Sequence, residues 1–215
     1  MNIGGAFAIV IAFIYTFLHA FLPSSLEVLI KIMPLLILLA LVLSTKRSTY
    51  KKCLLLGLFF CMLGDAAIGF YFLAGLVLFL IGHIFYIIAF SKIRMKKPPT
   101  FIIALLLLYG AAMLTLFITT AVSSNDYLLA IAVTCYIAAI LTMGLAAFAT
   151  PIRALHIGAL FFIVSDSVLA FNLFIIDVPF EHEIVMLTYY IAQLSFTYSI
   201  FTLHNYSEYR NKMIQ

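Results

Sequence analysis

Charge is scarce in this sequence. Only 9% of its residues are Asp, Glu, Lys or Arg, against roughly a quarter in an ordinary soluble domain, which excludes a surface able to hold the chain in water. Cysteine is sparse too. Cys53, Cys61 and Cys135 all fall inside apolar runs, where a thiol behaves as a small hydrophobe, so neither a disulfide framework nor a zinc site is expected. No spacing of His, Cys, Asp or Glu suits a metal ion, and no nucleophile motif or phosphate-cradling glycine loop is present. The start of the chain lacks a basic segment and a small-residue cleavage site, so the first apolar stretch is expected to stay as a helix.

What is abundant is apolar length. Hydrophobic residues make up 66% of the chain, and the mean hydropathy is +1.23. A helix needs about 20 apolar residues to cross the roughly 30 Å hydrocarbon core, so a chain of this size holds about eight crossings and no separate soluble part. Polar and Pro-containing breaks place the helices near 3–22, 27–44, 53–70, 72–92, 100–120, 127–148, 154–176 and 184–205. Continuous apolar length, rather than short alternating segments, decides for helices over a transmembrane barrel. The expected fold is an all-α bundle of eight transmembrane helices, with 1–215 as one transmembrane domain.

The formal charge of +4 does not point to nucleic acid, because the basic residues sit in short clusters beside apolar spans. With eight crossings both termini share one side with the loops around Lys46–Lys52, Lys92–Lys97 and Arg153, and that side holds every Lys and Arg except Lys31. Glu27, Asp126, Asp177, Glu181 and Glu183 fall on the other side. The positive-inside rule then makes both termini cytosolic, in the cell membrane if the source is bacterial. The partner this implies is the lipid bilayer, and no feature fixes an oligomeric state.

A faint repeat runs through the chain. Gly57-Leu-Phe-Phe-Cys-Met-Leu-Gly64-Asp65 in the third expected helix parallels Gly158-Ala-Leu-Phe-Phe-Ile-Val-Ser165-Asp166 in the seventh. Those helices run in the same direction, as two parallel four-helix halves would require, although Gly and Phe are common in membrane helices.

Asp65 and Asp166 are the residues a membrane helix should not contain. Each is the same distance past the expected cytosolic start of its helix, about 18 Å deep at 1.5 Å per residue. Intramembrane acids normally face the bundle interior or a wet cavity and are candidates for function, the alternative being a hydrogen-bond clamp between helices. Other polar side chains could join them. His83 and Tyr86 share a face of the fourth helix with Phe79 and Gly75, and Tyr189, Tyr190, Gln193 and Thr197 line one side of the eighth. Gly57, Cys61, Gly64 and Asp65 form one stripe that lets a neighbour approach closely. Lys31 could snorkel to the interface, meet a lipid phosphate or pair with an aspartate. His19 shows no partner, and His156 lies at the opposite end of its helix.

At these residues the sequence resembles the lysoplasmalogenase family of membrane proteins, also called YhhN-like. The resemblance rests on Lys31-Ile-Met-Pro34 opening the second helix, Gly64-Asp65, Gly82-His83 with Tyr86, Gly158 with Ser165-Asp166, and Tyr190 with Gln193. Where the family has Lys and Pro adjacent, Ile32 and Met33 intervene here. The resemblance implies about eight transmembrane helices and an enzyme that cleaves the vinyl ether of a lysoplasmalogen, a lysophospholipid, to a fatty aldehyde and a glycerophospho-alcohol (glycerophosphocholine or glycerophosphoethanolamine).

A vinyl ether resists bases but hydrolyses after protonation at carbon, through an oxocarbenium ion that water traps as a hemiacetal. Two carboxyl groups suffice, one protonated as general acid and one ionised to stabilise the cation and activate water, without metal or other cofactor. Glycosidases divide the labour in the same way by chemical analogy. Asp65 and Asp166 are therefore the expected catalytic pair. Sparse hydrogen bonding from Gly64 and Cys61 favours Asp65 as the acid, and Ser165 is expected to keep Asp166 ionised. His83, Tyr86, Tyr190 and Gln193 would bind or orient water and substrate, and Lys31 would meet the head-group phosphate. Two rivals share the midplane acids: a small proton-coupled transporter, which would show paired Gly or Pro interruptions in both halves, and a lipid-binding membrane protein with structural aspartates.

Overall fold

A computed structural model describes residues 3–93, 96–123 and 127–212, and within them every regular element is helical. In chain order these are α1 (Ile3–Leu18), a short 3-10 turn (His19–Phe21), α2 (Ser24–Leu43), α3 (Thr49–Ile68), α4 (Phe72–Ser91), α5 (Thr100–Ser123), α6 (Tyr127–Phe148), α7 (Arg153–Phe174) and α8 (Glu181–Lys212). Seven of the eight are long and apolar enough to cross a membrane. The exception is α3, whose length takes in Lys51, Lys52 and Asp65. Large apolar side chains such as Phe13, Leu108, Ile131 and Leu160 stay exposed on the outer faces, the arrangement of a bundle whose solvent is lipid. The chain is an integral, multi-pass membrane protein.

The helix starts show where expectation and structure part. Ser48 caps α3 by accepting from the Lys51 backbone N–H at 3.1 Å, so the helix begins at Thr49, earlier than the apolar run suggests. Lys51 then turns back. Its ammonium donates to the Leu43 and Thr45 carbonyls at 2.7 and 2.6 Å, satisfying acceptors that the end of α2 leaves open. A lysine expected only as a topology charge is thus buried and ties α2 to α3. α2 itself begins at Ser24, which puts Lys31 and Pro34 inside the helix rather than at its opening. Pro34 has no N–H for the Ile30 carbonyl, so the helical ladder is interrupted within a turn of Lys31. Arg94 and Asp126, two of the charges behind the expected orientation, lie outside the described residues.

The most extensive pairings are α3 with α4 and α7 with α8. Both depend on a glycine. A Cβ at Gly57 would collide with the Tyr86 ring, and one at Gly158 with the Phe196 ring, so each glycine opens a socket for an aromatic side chain of the following helix. Tyr86, Phe90, Phe162 and Phe196 meet in the core with ring centroids 4.9 to 6.1 Å apart. Between α8 and α3, the Tyr50 and Ser199 hydroxyls are hydrogen-bonded.

Candidate functional site

Successive helices alternate in direction, so the end of α3, the starts of α2, α4 and α8, and the end of α7 lie together, away from the lysine-bearing α2–α3 and α4–α5 connections. A cavity of about 190 Å³ occupies that half of the bundle. Phe72, Phe79, Met113, Phe117, Leu173 and Phe174 form its apolar wall, and Tyr15, Lys31, Asp65, Glu181, His182 and Tyr189 contribute polar groups. Asp166 also lines it. Both aspartates therefore face one chamber, although they come from α3 and α7.

Their surroundings differ. Asp65 is only 4% exposed. Its Oδ2 accepts from the Tyr189 hydroxyl at 2.6 Å, and the Lys31 ammonium stands 3.7 Å from Oδ1. The position of Lys31 is braced by Tyr190, whose hydroxyl donates to the Lys31 carbonyl at 2.8 Å, beside the break that Pro34 makes. Asp166 has a 17% exposed side chain and stands 4.0 Å from His83 Nε2. Its Oδ2 accepts from the Tyr136 hydroxyl at 2.5 Å. His83 is fully buried and its Nδ1 donates to the Phe79 carbonyl at 2.8 Å, because a carbonyl can only accept. Its Nε2 has no hydrogen-bond partner.

Several expectations need correction. Ser165 does not serve Asp166: its hydroxyl donates to the Val185 carbonyl at 3.0 Å, because α7 and α8 pack closely enough there to capture it. Asp65 is the better-partnered acid, since neighbouring helices supply what Gly64 and Cys61 lack. The equal spacing expected from sequence does not hold along the helices: Asp65 comes three residues before the end of α3, whereas Asp166 comes eight before the end of α7. Tyr86 and Gln193 do not line the cavity. The Tyr86 hydroxyl donates to Gln193 Oε1 at 2.5 Å, and both side chains are fully buried, which makes them a link between α4 and α8 behind the wall. His83 and Tyr190 stand one layer back from the surface that Asp166 and Lys31 present. His19 does have a partner: its ring stacks on His182 with centroids 3.5 Å apart.

The YhhN family matches residues 26–200. The chain belongs to the YhhN family. It is 33% identical over 153 residues to lysoplasmalogenase TMEM86A of Homo sapiens, an alignment covering 64% of this chain and 60% of the human protein. The chain thus spans about 60% of the length of the curated relative it matches. No solved structure matches. The YhhN match takes in Lys31, Asp65 and Asp166 but begins after α1, so Tyr15 reaches the cavity from outside the matched region.

Sequence reasoning missed Tyr136. It lies on α6, a helix with no charged residue to draw attention, and only its facing Asp166 across the α6–α7 contact reveals it. Tyr189 was legible as part of a polar face, but its pairing with Asp65 joins helices 124 residues apart in sequence.

Proposed function

We propose that this YhhN-family protein is a lysoplasmalogenase-like hydrolase, cleaving the vinyl ether of a lysoplasmalogen to a fatty aldehyde and a glycerophospho-alcohol by acid-base catalysis. The observation that carries the proposal is the placing of Asp65 and Asp166 on one amphipathic cavity, each with its own partners. The 33% identity to a human lysoplasmalogenase supports the same reaction class.

The roles follow from the partners, and they reverse the expectation from sequence. Asp65 beside the Lys31 ammonium carries the negative charge. Asp166, with no Lys or Arg paired to it among the described residues, supplies the proton. Asp166 protonates the vinyl carbon distal to oxygen, the double bond's electrons form the new C–H bond, and an oxocarbenium ion results. The Asp65 carboxylate stabilises that cation and takes a proton from the water that attacks it, giving a hemiacetal. In collapse, Asp65 returns its proton to the ether oxygen as the C–O bond breaks. The Asp166 carboxylate removes the hemiacetal hydroxyl proton as the aldehyde forms. One water is consumed and both acids regain their starting states. Phe72, Phe117 and Phe174 offer the alkenyl chain an apolar berth, and Lys31 is placed to meet the phosphate.

The topology belongs to the same proposal: eight crossings in one transmembrane domain, including the charge-bearing α3, with both termini cytosolic. The halves α1–α4 and α5–α8 form parallel repeats. The paired sockets Gly57–Tyr86 and Gly158–Phe196 support this, as does the helix preceding each aspartate, which supplies its partner: Lys31 on α2 for Asp65, Tyr136 on α6 for Asp166.

The deciding experiment is mass spectrometry of products after purified protein meets lysophospholipids bearing ester, alkyl-ether and vinyl-ether chains. Cleavage confined to the vinyl ether supports the hydrolase. Gradient-dependent flux in liposomes without turnover would make it a transporter, and binding without either would make it a lipid-binding protein.

A further inference from the structure

The cavity that collects both aspartates has a volume of about 190 Å³, and one of about 150 Å³ holds a single benzene molecule. It can take a vinyl ether and the first carbons beyond it, but not a whole lysolipid chain. The rest of such a chain has to leave through the wall, so the joints of the wall decide where. Around the cavity α3 packs on α4, then α4 and α7 on α6, and α8 on α7, while α5 packs on α6 from outside. Tyr109, Met113 and Phe117 of α5 nevertheless line the cavity, so α6 and α7 part in that half of the bundle and α5 covers the gap. The resulting α5–α7 seam is shut by side chains rather than by close backbones. At one end the Tyr109 and Ser167 hydroxyls are hydrogen-bonded at 2.6 Å. At the other the Phe117 ring meets Phe171 and Phe174 edge-on, with centroids 6.1 and 5.5 Å apart. From Tyr109 to Phe117 is about 12 Å of helix. Between the two ties stand Met113 on α5 and Ala170 on α7, both on the cavity wall and both in an apolar cluster set apart from the main core. The Met113 side chain is buried, whereas Ala112 and Thr115 beside it are exposed on the outer face.

We propose that the hydrocarbon chain of the substrate leaves the cavity sideways between α5 and α7, through a slot plugged by the Met113 side chain. The proposal rests on the hydrolase reading for the ligand, a lysolipid whose reacting bond lies at Asp166. Ala170 follows Asp166 by four residues and shares its face of α7, about 6 Å along the axis. The slot is therefore next to the carbons that follow the vinyl ether. Ala170 brings no bulk to it, and methionine, unbranched with three rotatable bonds, is the apolar side chain that most readily swings aside. The hydroxyl tie and the aromatic tie bound the slot along the helices, so the chain passes Met113 while α5 stays on α6. Beyond the slot the chain lies in lipid, which leaves its length free.

The test is binding rather than turnover. Full-length protein in detergent is titrated with alkyl-ether lysophosphocholines, which carry no vinyl ether, bearing a hexyl or a hexadecyl chain. Met113→Trp overfills the slot, so relative to the wild type it should weaken the hexadecyl lipid by about tenfold and leave the hexyl lipid, whose chain stays within the cavity, nearly unchanged. Ile131→Trp adds the same ring to the exposed face of α6 and should weaken neither. Equal loss for both chains in Met113→Trp, or loss for neither, overturns the slot. A hexadecyl-ether lipid with a diazirine midway along its chain needs no variant to fold: irradiated on the wild type, it should label α5 or α7, and absence of label from both helices overturns the slot as well. Label on α5 or α7 without vinyl-ether cleavage upholds the slot and defeats the hydrolase; cleavage with both helices unlabelled does the reverse.

Discussion

Asp65 and Asp166 occupy matching places in two similar stretches of sequence, yet the folded protein treats them differently. Asp65 is nearly sealed from solvent and held by a lysine and a tyrosine from two other helices. Asp166 keeps a 17% exposed side chain, one tyrosine as donor and, 4.0 Å away, an imidazole whose other nitrogen is committed to the Phe79 carbonyl. A buried carboxylate with a cation can remain ionised, whereas one without must hold its proton or find water. The residue type is shared; the chemistry is decided by what neighbouring helices bring.

The largest effect that could break this contrast is on turnover. Asp166→Asn should lower aldehyde release by roughly 10²- to 10⁴-fold, the share of a positioned general acid, with the thermal unfolding temperature almost unchanged. Asp65→Asn should lose activity to a similar degree and also destabilise the protein by about 3 to 5 kcal/mol, because it strands the Lys31 ammonium. Equal stability of the two variants in detergent unfolding would erase the distinction.

Next in size is the Lys31–Asp65 coupling. Lys31→Met alone should destabilise, whereas the Lys31→Met, Asp65→Asn double variant should recover part of the loss, with a coupling of about 1 to 3 kcal/mol in a double-mutant cycle. Additive losses would mean that the 3.7 Å separation carries no interaction.

Smaller again are the two phenols. Tyr189→Phe and Tyr136→Phe each remove a single donor from one aspartate, and each should reduce kcat by about tenfold while changing stability by less than ~1.5 kcal/mol. Unchanged kcat in both would place the aspartates' hydrogen bonds outside the reaction. The smallest effect on catalysis belongs to Tyr86→Phe, which leaves Gln193 Oε1 without its donor behind the cavity wall. It should cost about 1 to 3 kcal/mol of stability with KM and kcat intact, and a kinetic defect in the folded variant would bring Tyr86 back into the site.

Much of the fold was legible because the bilayer imposes a simple rule. A run of apolar residues long enough to cross must be helical, since backbone groups find no other partners in hydrocarbon. The starts were less legible, because α2 and α3 begin in polar residues that a hydropathy pattern discards, Ser24 and Thr49 among them. In the candidate site, Asp65, Asp166 and Lys31 stood out as charges within apolar surroundings. Tyr136, Glu181 and His182 did not. A tyrosine in an apolar helix and charges at a helix start are ordinary features until the cavity that collects them is seen.

The amino-acid sequence by itself determined the solvent of this protein, the number and rough extent of its helices and the presence of two acids in its interior, because each depends on local composition and on the cost of putting charge into hydrocarbon. Tertiary structure alone decided that the Ser165 hydroxyl turns to Val185, that Tyr86 and Gln193 satisfy each other in the core, and that Lys31 stands against Asp65 while Asp166 faces His83. Those pairings join helices distant in sequence. Which donor reaches which carboxylate depends on how closely particular glycines let particular helices approach, a distance no single segment encodes.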